Sequence, residues 1–459
     1  MSKALLGIDL GTSSIKVLLY RQNGQIEKTK VAYEDISPAG WLSAMRKALL
    51  MLDLSEVTAI GLSSQTGTYI VNGKDVISWS DPAGKEELAY IRGEFSQETF
   101  IREIGMPHPA ITSYPLPRLL YIKKHFEDVK SVCQPKDLML TYLTGKLASD
   151  VWTWRGLAHP ETGAYSEQLL AALELDPSSL PPLWAAEEIG GYVMPRVAEE
   201  TGLPVGVPVV TGLNDFFAGL VGMGIPALSP VFDITGTSEH FGTVENTFTP
   251  QTDMVSGRFL EGFVHYGGTA SSGTSLAFGM RELGAEQGEI ADYLAKDPPI
   301  FLPYLNGERA PIFDPNARGV FFGINKDCSR SLMSYAVLEG VAFSIYHISK
   351  HLGKLPKGDV LLGGGAAKDA LLCTIKATLF DRPFAALEEN DTSALGAAMM
   401  AGYGSEYFKT LADATAACVK KSKTFLPVPA LREPLLKRFA VYEQLYTALK
   451  PQFEALKEI

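Results

Sequence analysis

Apolar and polar positions along the chain follow two patterns that occur in a fixed order. Residues 4–10 and 15–20 are apolar runs joined by Gly-Thr-Ser, which predicts two β-strands connected by a tight turn. Residues 41–53 carry apolar side chains at helical spacing, and residues 57–64 form another apolar run typical of a buried strand. This order of strand, turn, strand, helix and strand predicts a mixed α/β fold.

The second half repeats this order, beginning with "VFDITGTSEHFGTVE" at position 231. Further predicted elements are mostly helical residues 84–145, a strand over 204–212, a strand, glycine turn and helix over 357–380, and a helix over 431–450. We therefore predict two α/β domains, residues 1–226 and 227–459, with the final helix packing back on the first domain.

Composition narrows the class of protein. A chain of 459 residues is long enough for two domains, and 46% hydrophobic with 20% charged residues is typical of globular proteins. A net charge of −11 argues against nucleic acid or an anionic membrane as the main partner. The four cysteines are far apart in the sequence, and no apolar run is long enough for a spanning helix. We expect a cytoplasmic protein without disulfides.

The two Gly-Thr-Ser turns are the first candidate site. Backbone N–H groups and hydroxyls in such turns can converge on an anion, so Gly11–Ser13 and 236–238 could grip a polyphosphate from two sides. Asp9, at the end of the first strand, would then hold Mg²⁺, which takes one or two carboxylates in proteins. For one copy alone, ordinary turn chemistry is the better explanation. Two copies in matched settings favour phosphate binding.

Two further stretches carry candidate chemistry. "LLGGGAAKDALL" places a glycine turn between a strand and a helix, where a flat ligand could lie on the backbone. A simple tight connection explains this stretch equally well. Asp215 starts a predicted helix after a buried strand, so its carboxylate could accept a proton from an attacking hydroxyl. On spacing alone, helix capping is the better explanation for Asp215.

These stretches together resemble the FGGY family of carbohydrate kinases. "GIDLGTSSIKVLL" and "DITGTSEHFG" are similar to its two phosphate motifs, "GLNDFFAGLVGMG" to its catalytic-aspartate motif and "LLGGGAAKDALL" to its adenosine motif. "FLPYLNGERAPIFDPNARGVFFGI" resembles the xylulokinase form. The resemblance covers essentially the whole chain. It implies two actin-like (ribonuclease H-like) domains around a central cleft, as in the superfamily of sugar kinases, Hsp70 and actin.

The resemblance also implies roles for particular residues. Asp215 matches the catalytic base, and Asp9 and Asp215 are the expected metal-associated carboxylates. The expected contacts to ATP, from the turns and the resemblance together, are Gly11, Thr12, Ser13, Gly236, Thr237, Gly273, Gly365, Ala366 and Asp369. The implied activity is phosphorylation of a sugar with ATP and Mg²⁺, and a homodimer is an assembly that such kinases commonly form.

The acceptor pocket departs from the xylulokinase pattern. Thr66 and Gly67 stand where xylulokinases carry methionine and histidine, and Phe216 replaces an asparagine after the base. Trp154 and Arg155 could supply replacement contacts. The expected sugar contacts are Gln65, Thr66, Gly67, Asp81, Trp152, Asn214 and Phe216. We expect a ketopentose such as xylulose. The alternatives are ribulose, gluconate, glycerol or another polyol, or a non-catalytic nucleotide- or sugar-binding protein of the same fold.

Overall fold

Each half of the chain begins with a β-hairpin whose connection is Gly-Thr-Ser. The computed structural model describes residues 3–109, 111–251, 253–286 and 288–456. The strands of the first half are β1 (Ala4–Leu10), β2 (Ser14–Arg21), β3 (Ile26–Ala32), β4 (Val57–Ser64), β5 (Tyr69–Val71), β6 (Asp75–Ile77), β7 (Val132–Cys133), β8 (Ile189–Tyr192), β9 (Pro208–Val210) and β10 (Leu213–Asn214). Its helices are α1 (Pro38–Leu49), α2 (Lys85–Glu94), α3 (Gln97–Ile104), α4 (Pro115–His125), α5 (Pro135–Thr144), α6 (Glu167–Ala172), α7 (Pro195–Thr201) and α8 (Asp215–Gly222).

The second half starts at β11, directly after the connection that contains the predicted boundary. Its strands are β11 (Val231–Thr235), β12 (Glu239–Glu245), β13 (Val255–Phe259), β14 (Gly262–Gly268), β15 (Ile300–Leu302), β16 (Val320–Phe322), β17 (Val360–Gly364), β18 (Phe384–Leu387) and β19 (Lys421–Phe425). Its helices are α9 (Ser272–Glu282), α10 (Ile290–Leu294), α11 (Arg330–His351), α12 (Ala370–Phe380), α13 (Thr392–Gly404), α14 (Leu411–Cys418) and α15 (Pro429–Leu456).

Two large sheets repeat one topology. The first has the strand order β3-β2-β1-β4-β9-β8, with β10 also paired to β4. The second has the order β13-β14-β12-β11-β17-β18-β19. In each sheet the hairpin strands are antiparallel, and the first of them also pairs in parallel with a later strand, β4 or β17. Parallel pairing needs a crossover, and helices supply part of it in both halves. The duplicated α/β plan predicted from the sequence is therefore confirmed.

Helices α8 and α13 form the core between the two sheets. Buried residues of both helices pack together with apolar side chains from the first sheet and from the second sheet. Small residues allow the close approach: a Cβ atom added at Gly396 of α13 would lie 1.9 Å from the carbonyl oxygen of Ala218 in α8. On the first sheet, a Cβ at Gly7 would lie 1.9 Å from the carbonyl oxygen of Ala394. Thus α13 comes from the second half and packs on the first sheet.

The described part of the final helix α15 packs in the core of the second domain, whereas the sequence predicts packing on the first domain. Its apolar side chains Leu435, Phe439 and Tyr442 are buried in the core of the second domain. The ring of Phe439 lies 5.6 Å from the ring of Phe343 in α11, and the Tyr442 hydroxyl is hydrogen-bonded to the Tyr304 hydroxyl at 3.0 Å. The large aromatic side chains of α15 pack against aromatic side chains of α11. The close backbone contact on the first sheet requires small residues, which α13 provides. Within the described ranges, no helix is long and apolar enough to cross a membrane.

Candidate active site

Asp9 lies near the carboxyl end of β1, with its carboxylate almost fully buried. Ser63, on the neighbouring strand β4, donates a hydrogen bond from Oγ to Asp9 Oδ1 at 2.9 Å. Lys16 is the cross-strand partner of Asp9 on β2, but its ammonium group pairs with Asp391 at 2.9 Å. Burial raises the pKa of Asp9, while the Ser63 hydrogen bond and the Lys16 charge oppose that rise. A cation beside Asp9 would favour its ionised form.

The same three residue types close both hairpins. In the first, the Gly11 N–H donates to the Ser14 carbonyl at 3.0 Å, and Thr12 and Ser13 are exposed. In the second, the Gly236 N–H donates to the Ser238 carbonyl at 2.7 Å, and Thr237 is exposed. Each turn therefore presents short polar residues at the tip of a hairpin whose strands are well paired. Such turns can bind the oxygen atoms of an anion.

The aspartate of the second hairpin has different surroundings from Asp9. Asp233 Oδ2 accepts a hydrogen bond from Lys376 Nζ at 2.7 Å, and Lys376 also contacts Glu239 Oε1 at 2.5 Å. All three side chains are fully buried. Burial and the Glu239 charge raise the pKa of Asp233, whereas the two carboxylates raise the pKa of Lys376 despite its burial. The two hairpins thus have similar backbones but different charge surroundings, because Lys376 of α12 pairs with the buried carboxylates of the second hairpin.

A cavity of about 670 Å³ lies in the second domain beside its Gly-Thr-Ser turn. It is lined by five of the residues predicted to contact ATP: Gly236, Gly273, Gly365, Ala366 and Asp369. The backbone of Gly365 faces open space, where a Cβ atom would meet nothing within 4 Å. The Asp369 carboxylate accepts from the Leu372 N–H at 3.0 Å and so caps α12. The size and the glycine-rich lining fit a nucleotide, with the helix N-terminus close by.

Gly273 has a structural reason to lack a side chain. A Cβ atom there would lie 1.9 Å from the carbonyl oxygen of Gly236, so the start of α9 touches the backbone of the second turn. The Thr274 N–H also donates to the Thr237 carbonyl at 3.2 Å. The position of this turn is therefore fixed by α9.

Asp215 is the first residue of α8, at the end of the first domain. The helix is capped by its neighbour, because Asn214 accepts a hydrogen bond from the Phe217 N–H at 3.1 Å. The Asp215 carboxylate accepts from the Phe216 N–H at 2.8 Å through Oδ1. Its pKa is raised to about 7, first by burial and then by the charge of Asp9, while the Phe216 N–H and Arg155 oppose the rise. A carboxylate with such a pKa is suited to accept a proton near neutral pH.

Arg155 lies within a group of aromatic rings beside this base. Its guanidinium carbon is 5.7 Å from the ring centres of Phe216 and Phe217 and 5.5 Å from that of Tyr266. Burial lowers the pKa of Arg155, while Asp215 acts against this effect. His240 packs against Phe216, and its pKa is lowered to about 3 by burial and by the charges of Arg309 and Arg155. The imidazole is therefore neutral at physiological pH.

The predicted sugar contacts fall into three groups. Trp152, Asn214 and Phe216 lie together: the Asn214 amide donates to the Trp152 carbonyl at 2.6 Å, and Trp152 and Phe216 both pack against Phe217. Asn214 uses both ends of its amide for these internal bonds. The ring nitrogen of Trp152 donates to the Arg258 carbonyl at 2.7 Å.

The second group contains Gln65, Thr66 and Gly67, at the end of β4. The Thr66 hydroxyl and the Gly67 N–H both donate to the side-chain oxygen of Gln134, at 3.2 and 2.9 Å. Gln65 is buried, and its Oε1 atom has no hydrogen-bond partner within the described ranges. Asp81 forms the third group alone. It is exposed, and its carboxylate caps a turn by accepting from the Ala83 N–H at 2.8 Å.

Several residues near the base were not among the predicted contacts: Arg155, His240, Tyr266, Arg309 and Tyr114. The sequence predicts Arg155 only as a replacement contact to the sugar, beside Trp154. Arg309 stands in "LNGERAP", a stretch that carried the family resemblance without a role. His240 and Tyr266 are single residues in ordinary strand patterns, and no spacing pointed to them.

The acidic residues could hold Mg²⁺ only if a phosphate ligand supplied some of its other contacts. Among the described residues, no group of three or more His, Cys, Asp or Glu side chains could hold a metal by itself. The charge of Asp9 helps to raise the pKa of Asp215, so the two carboxylates lie near each other. Two carboxylates are enough for Mg²⁺ when phosphate oxygens and waters supply its other ligands.

In a comparison with known proteins, both halves of the chain match domains of one protein family. The N-terminal domain of the FGGY family of carbohydrate kinases matches residues 4–222, and the C-terminal domain of that family matches residues 233–405. The xylulose kinase of Bacillus subtilis (strain 168) is 26% identical, with 99% of each chain covered. The xylulose kinase of Lactococcus lactis subsp. lactis (strain IL1403) is 29% identical over 99% of this chain and 97% of that protein.

Solved structures share the architecture. The ligand-bound xylulose kinase from Lactobacillus acidophilus has a TM-score of 0.89, and the gluconate kinase from the same organism has 0.88. Both are 22% identical to this chain, with 99% of this chain and 100% of the other covered. These similarities confirm the predicted fold class of two actin-like domains around a cleft.

Proposed function

This chain belongs to the FGGY family of carbohydrate kinases, and from that premise we propose that it transfers the terminal phosphoryl group of ATP to a hydroxyl group of a small sugar, with Asp215 as the base. The observation that carries this assignment is the position of Asp215. It is a half-buried carboxylate at the start of α8, its helix is already capped by Asn214, and its pKa is raised to about 7.

The proposed step needs one proton acceptor and a fixed polyphosphate. The acceptor hydroxyl passes its proton to Asp215 as its oxygen attacks the terminal phosphorus, and the bond from that phosphorus to the bridging oxygen of ADP breaks. Arg155 and the Phe216 N–H favour the ionised form of Asp215 that this step requires. Because the site lies between two domains, their closure would exclude water that could otherwise accept the phosphoryl group.

The two Gly-Thr-Ser turns are the proposed phosphate contacts, and the cavity at Gly365 and Ala366 is the proposed adenosine site. Gly11, Thr12 and Ser13 would act from the first domain, and Gly236 and Thr237 from the second. Asp9, together with Asp215, would hold Mg²⁺, which neutralises charge on the phosphate oxygens when bound. The buried Lys376 leaves Asp233 without a comparable role.

A ketopentose such as xylulose is the first candidate acceptor, because the relatives named above are xylulose kinases. Ribulose, gluconate, glycerol or another polyol are the alternatives, and one observation favours an acid such as gluconate: the guanidinium group of Arg155 beside the base. A non-catalytic binding protein is disfavoured, since Asp9 and Asp215 are both retained and face one site. The four free cysteines fit a reducing compartment such as the cytoplasm.

The test is a coupled assay of ADP release with MgATP and a panel of ketoses, polyols and sugar acids. We expect release that depends on one class of acceptor, and a loss of at least about 10³-fold in kcat for Asp215→Asn, with ATP binding retained. Asp327→Asn is the matched control, because Asp327 is exposed and on the surface. Near-normal turnover of Asp215→Asn would show that another group is the base. No turnover with any acceptor, while ATP still binds, would refute the kinase activity.

A further inference from the structure

Arg155 is a half-buried cation that forms no direct ion pair in the part of the chain that the structure describes, although the charge of Asp215 acts on it. Among the residues that the structure describes, its guanidinium group makes no hydrogen bond or ion pair, and its Nη1 atom is fully buried. A buried donor atom such as this Nη1 is costly unless a ligand satisfies it. The rings of Phe216, Phe217 and Tyr266 hold the group in place but accept no ordinary hydrogen bond. The unused donors therefore indicate a binding partner that is rich in acceptor atoms.

The polar groups around Arg155 include further groups that can donate hydrogen bonds. The Tyr266 hydroxyl is buried and has no partner within the described ranges. The guanidinium group of Arg309 acts electrostatically on Arg155, and the carboxylate of Asp215 acts in the opposite sense. The neutral sugars of the family need acceptors as well as donors, because each hydroxyl group does both.

Internal bonds occupy several of the acceptors among the predicted sugar contacts. The Asn214 oxygen caps α8, and the Gln134 oxygen accepts from Thr66 and Gly67. Among the predicted sugar contacts, Gln65 has a buried Oε1 atom that accepts no hydrogen bond within the described ranges. The balance of donors and acceptors thus fits a ligand with an excess of acceptor atoms.

The space beside the guanidinium group is small. A cavity of about 30 Å³ is lined by Arg155, Trp152, Phe217 and Tyr266 among other residues. A water molecule needs roughly 10–15 Å³ of such space, so a small polar group has room beside the guanidinium group. Guanidinium groups bind carboxylates through two parallel hydrogen bonds, which makes a carboxylate a suitable ligand.

We propose that Arg155 binds a carboxylate of the acceptor, so that the sugar phosphorylated at this site is a short-chain sugar acid. Arg155 is then a specificity-determining residue, and Phe216, which stands where xylulokinases carry asparagine, serves to hold its guanidinium group. The inference rests on the proposed phosphoryl transfer to a sugar. It selects an anionic acceptor over the neutral ketopentose.

The test compares acceptors of equal carbon number that differ in charge. ADP release is measured with D-xylonate, xylitol and D-xylulose, and with D-gluconate and D-glucitol, at saturating MgATP. We expect kcat/KM for the sugar acid to exceed that for the matching polyol by about 100-fold or more, as for a buried charge pair. Because Arg155 also acts on the base Asp215, Arg155→Gln can lower turnover of both acceptors, but it should lower kcat/KM for the acid by about 100-fold more than kcat/KM for the polyol. Arg155→Lys should recover part of the loss, since it keeps the charge but not the paired donors.

Arg196→Gln is the matched control, because Arg196 is an exposed arginine on α7 and should leave the ratio unchanged. Binding of the sugar acid is measured separately by calorimetry with a non-hydrolysable ATP analogue. Arg155-dependent binding without ADP release would support Arg155 as the contact to the carboxylate and refute the proposed kinase activity. Equal or faster turnover of xylulose or xylitol would overturn the inference and leave the kinase activity standing. If Arg155→Gln does not fold, the ratio of acid to polyol for the unaltered protein decides the question.

Discussion

The contact between α8 and α13 predicts that Gly396→Ala damages both stability and catalysis. Alanine has the higher helix propensity, worth about 1 kcal/mol in a helix interior. The added Cβ atom, however, would lie 1.9 Å from the Ala218 carbonyl oxygen and 2.8 Å from both the Ala218 carbonyl carbon and the Gly222 nitrogen. All three atoms belong to the backbone of α8, so no side-chain rotation relieves the overlap.

The helices must therefore move apart. Ordinary contact begins at 3.4 Å, so a separation of about 1.5 Å is needed at this point. Overpacking of this kind costs about 1–3 kcal/mol, which exceeds the gain in helix propensity. The shift also moves Asp215, since it is the first residue of α8 and its carbonyl accepts from Ser393 of α13 at 2.9 Å. A displacement of about 1 Å at a reacting group can lower kcat by about 10²-fold.

Urea unfolding and steady-state ADP release measure these two effects. The matched control is Gly93→Ala in α2, where the added Cβ atom would meet nothing within 4 Å and the backbone is helical. We expect the control to be as stable as the unaltered protein or more stable by up to about 1 kcal/mol, with full activity. If Gly396→Ala behaves like Gly93→Ala in both assays, the helices are not in the tight contact described here.

Two other changes test the buried charges. Lys376→Met should lower the free energy of unfolding in urea by about 3–5 kcal/mol, because Asp233 and Glu239 would remain buried without their cation. The control Lys437→Met, at an exposed position, should change the free energy of unfolding by less than about 0.5 kcal/mol. Equal effects of the two changes would show that Lys376 is not paired as described. Burial raises the pKa of Glu308 from 4.5 to about 7, so its ionisation is harder in the folded state, and the stabilising effect of its protonated form is lost as pH rises through that range. Glu308→Gln should therefore gain stability relative to the unaltered protein between about pH 4.5 and 7, and an unchanged difference across that range would contradict the burial argument.

Local pattern was enough to predict the repeated architecture. Both Gly-Thr-Ser connections lie where the sequence placed them, and the predicted first strand matches β1. The strand predicted over 204–212 is shorter, Pro208–Val210, because Gly206 has a φ of +78° and belongs to a turn. A run of valines does not reveal that a glycine among them turns the chain.

Long-range contacts could not be predicted in the same way. Asp9 and Asp233 stand in similar sequences, and only the distant Lys376 distinguishes them. The setting of Arg155 depends on Phe216 and Tyr266, which come from two other elements. The stretch of α13 is rich in small residues, but its place on the first sheet depends on backbone contacts that no spacing encodes.

The place of α13 has a consequence for the order in which the protein can fold during synthesis. The first sheet, with its hairpin and Asp9, is complete in sequence once β10 has been made, yet one face of it is covered by a helix that ends at Gly404. Until the ribosome has released that helix, the apolar residues on this face stay exposed and available to chaperones or to other chains. We therefore expect the first half, when expressed alone, to be prone to aggregation, and to be rescued by a separate chain that carries α13.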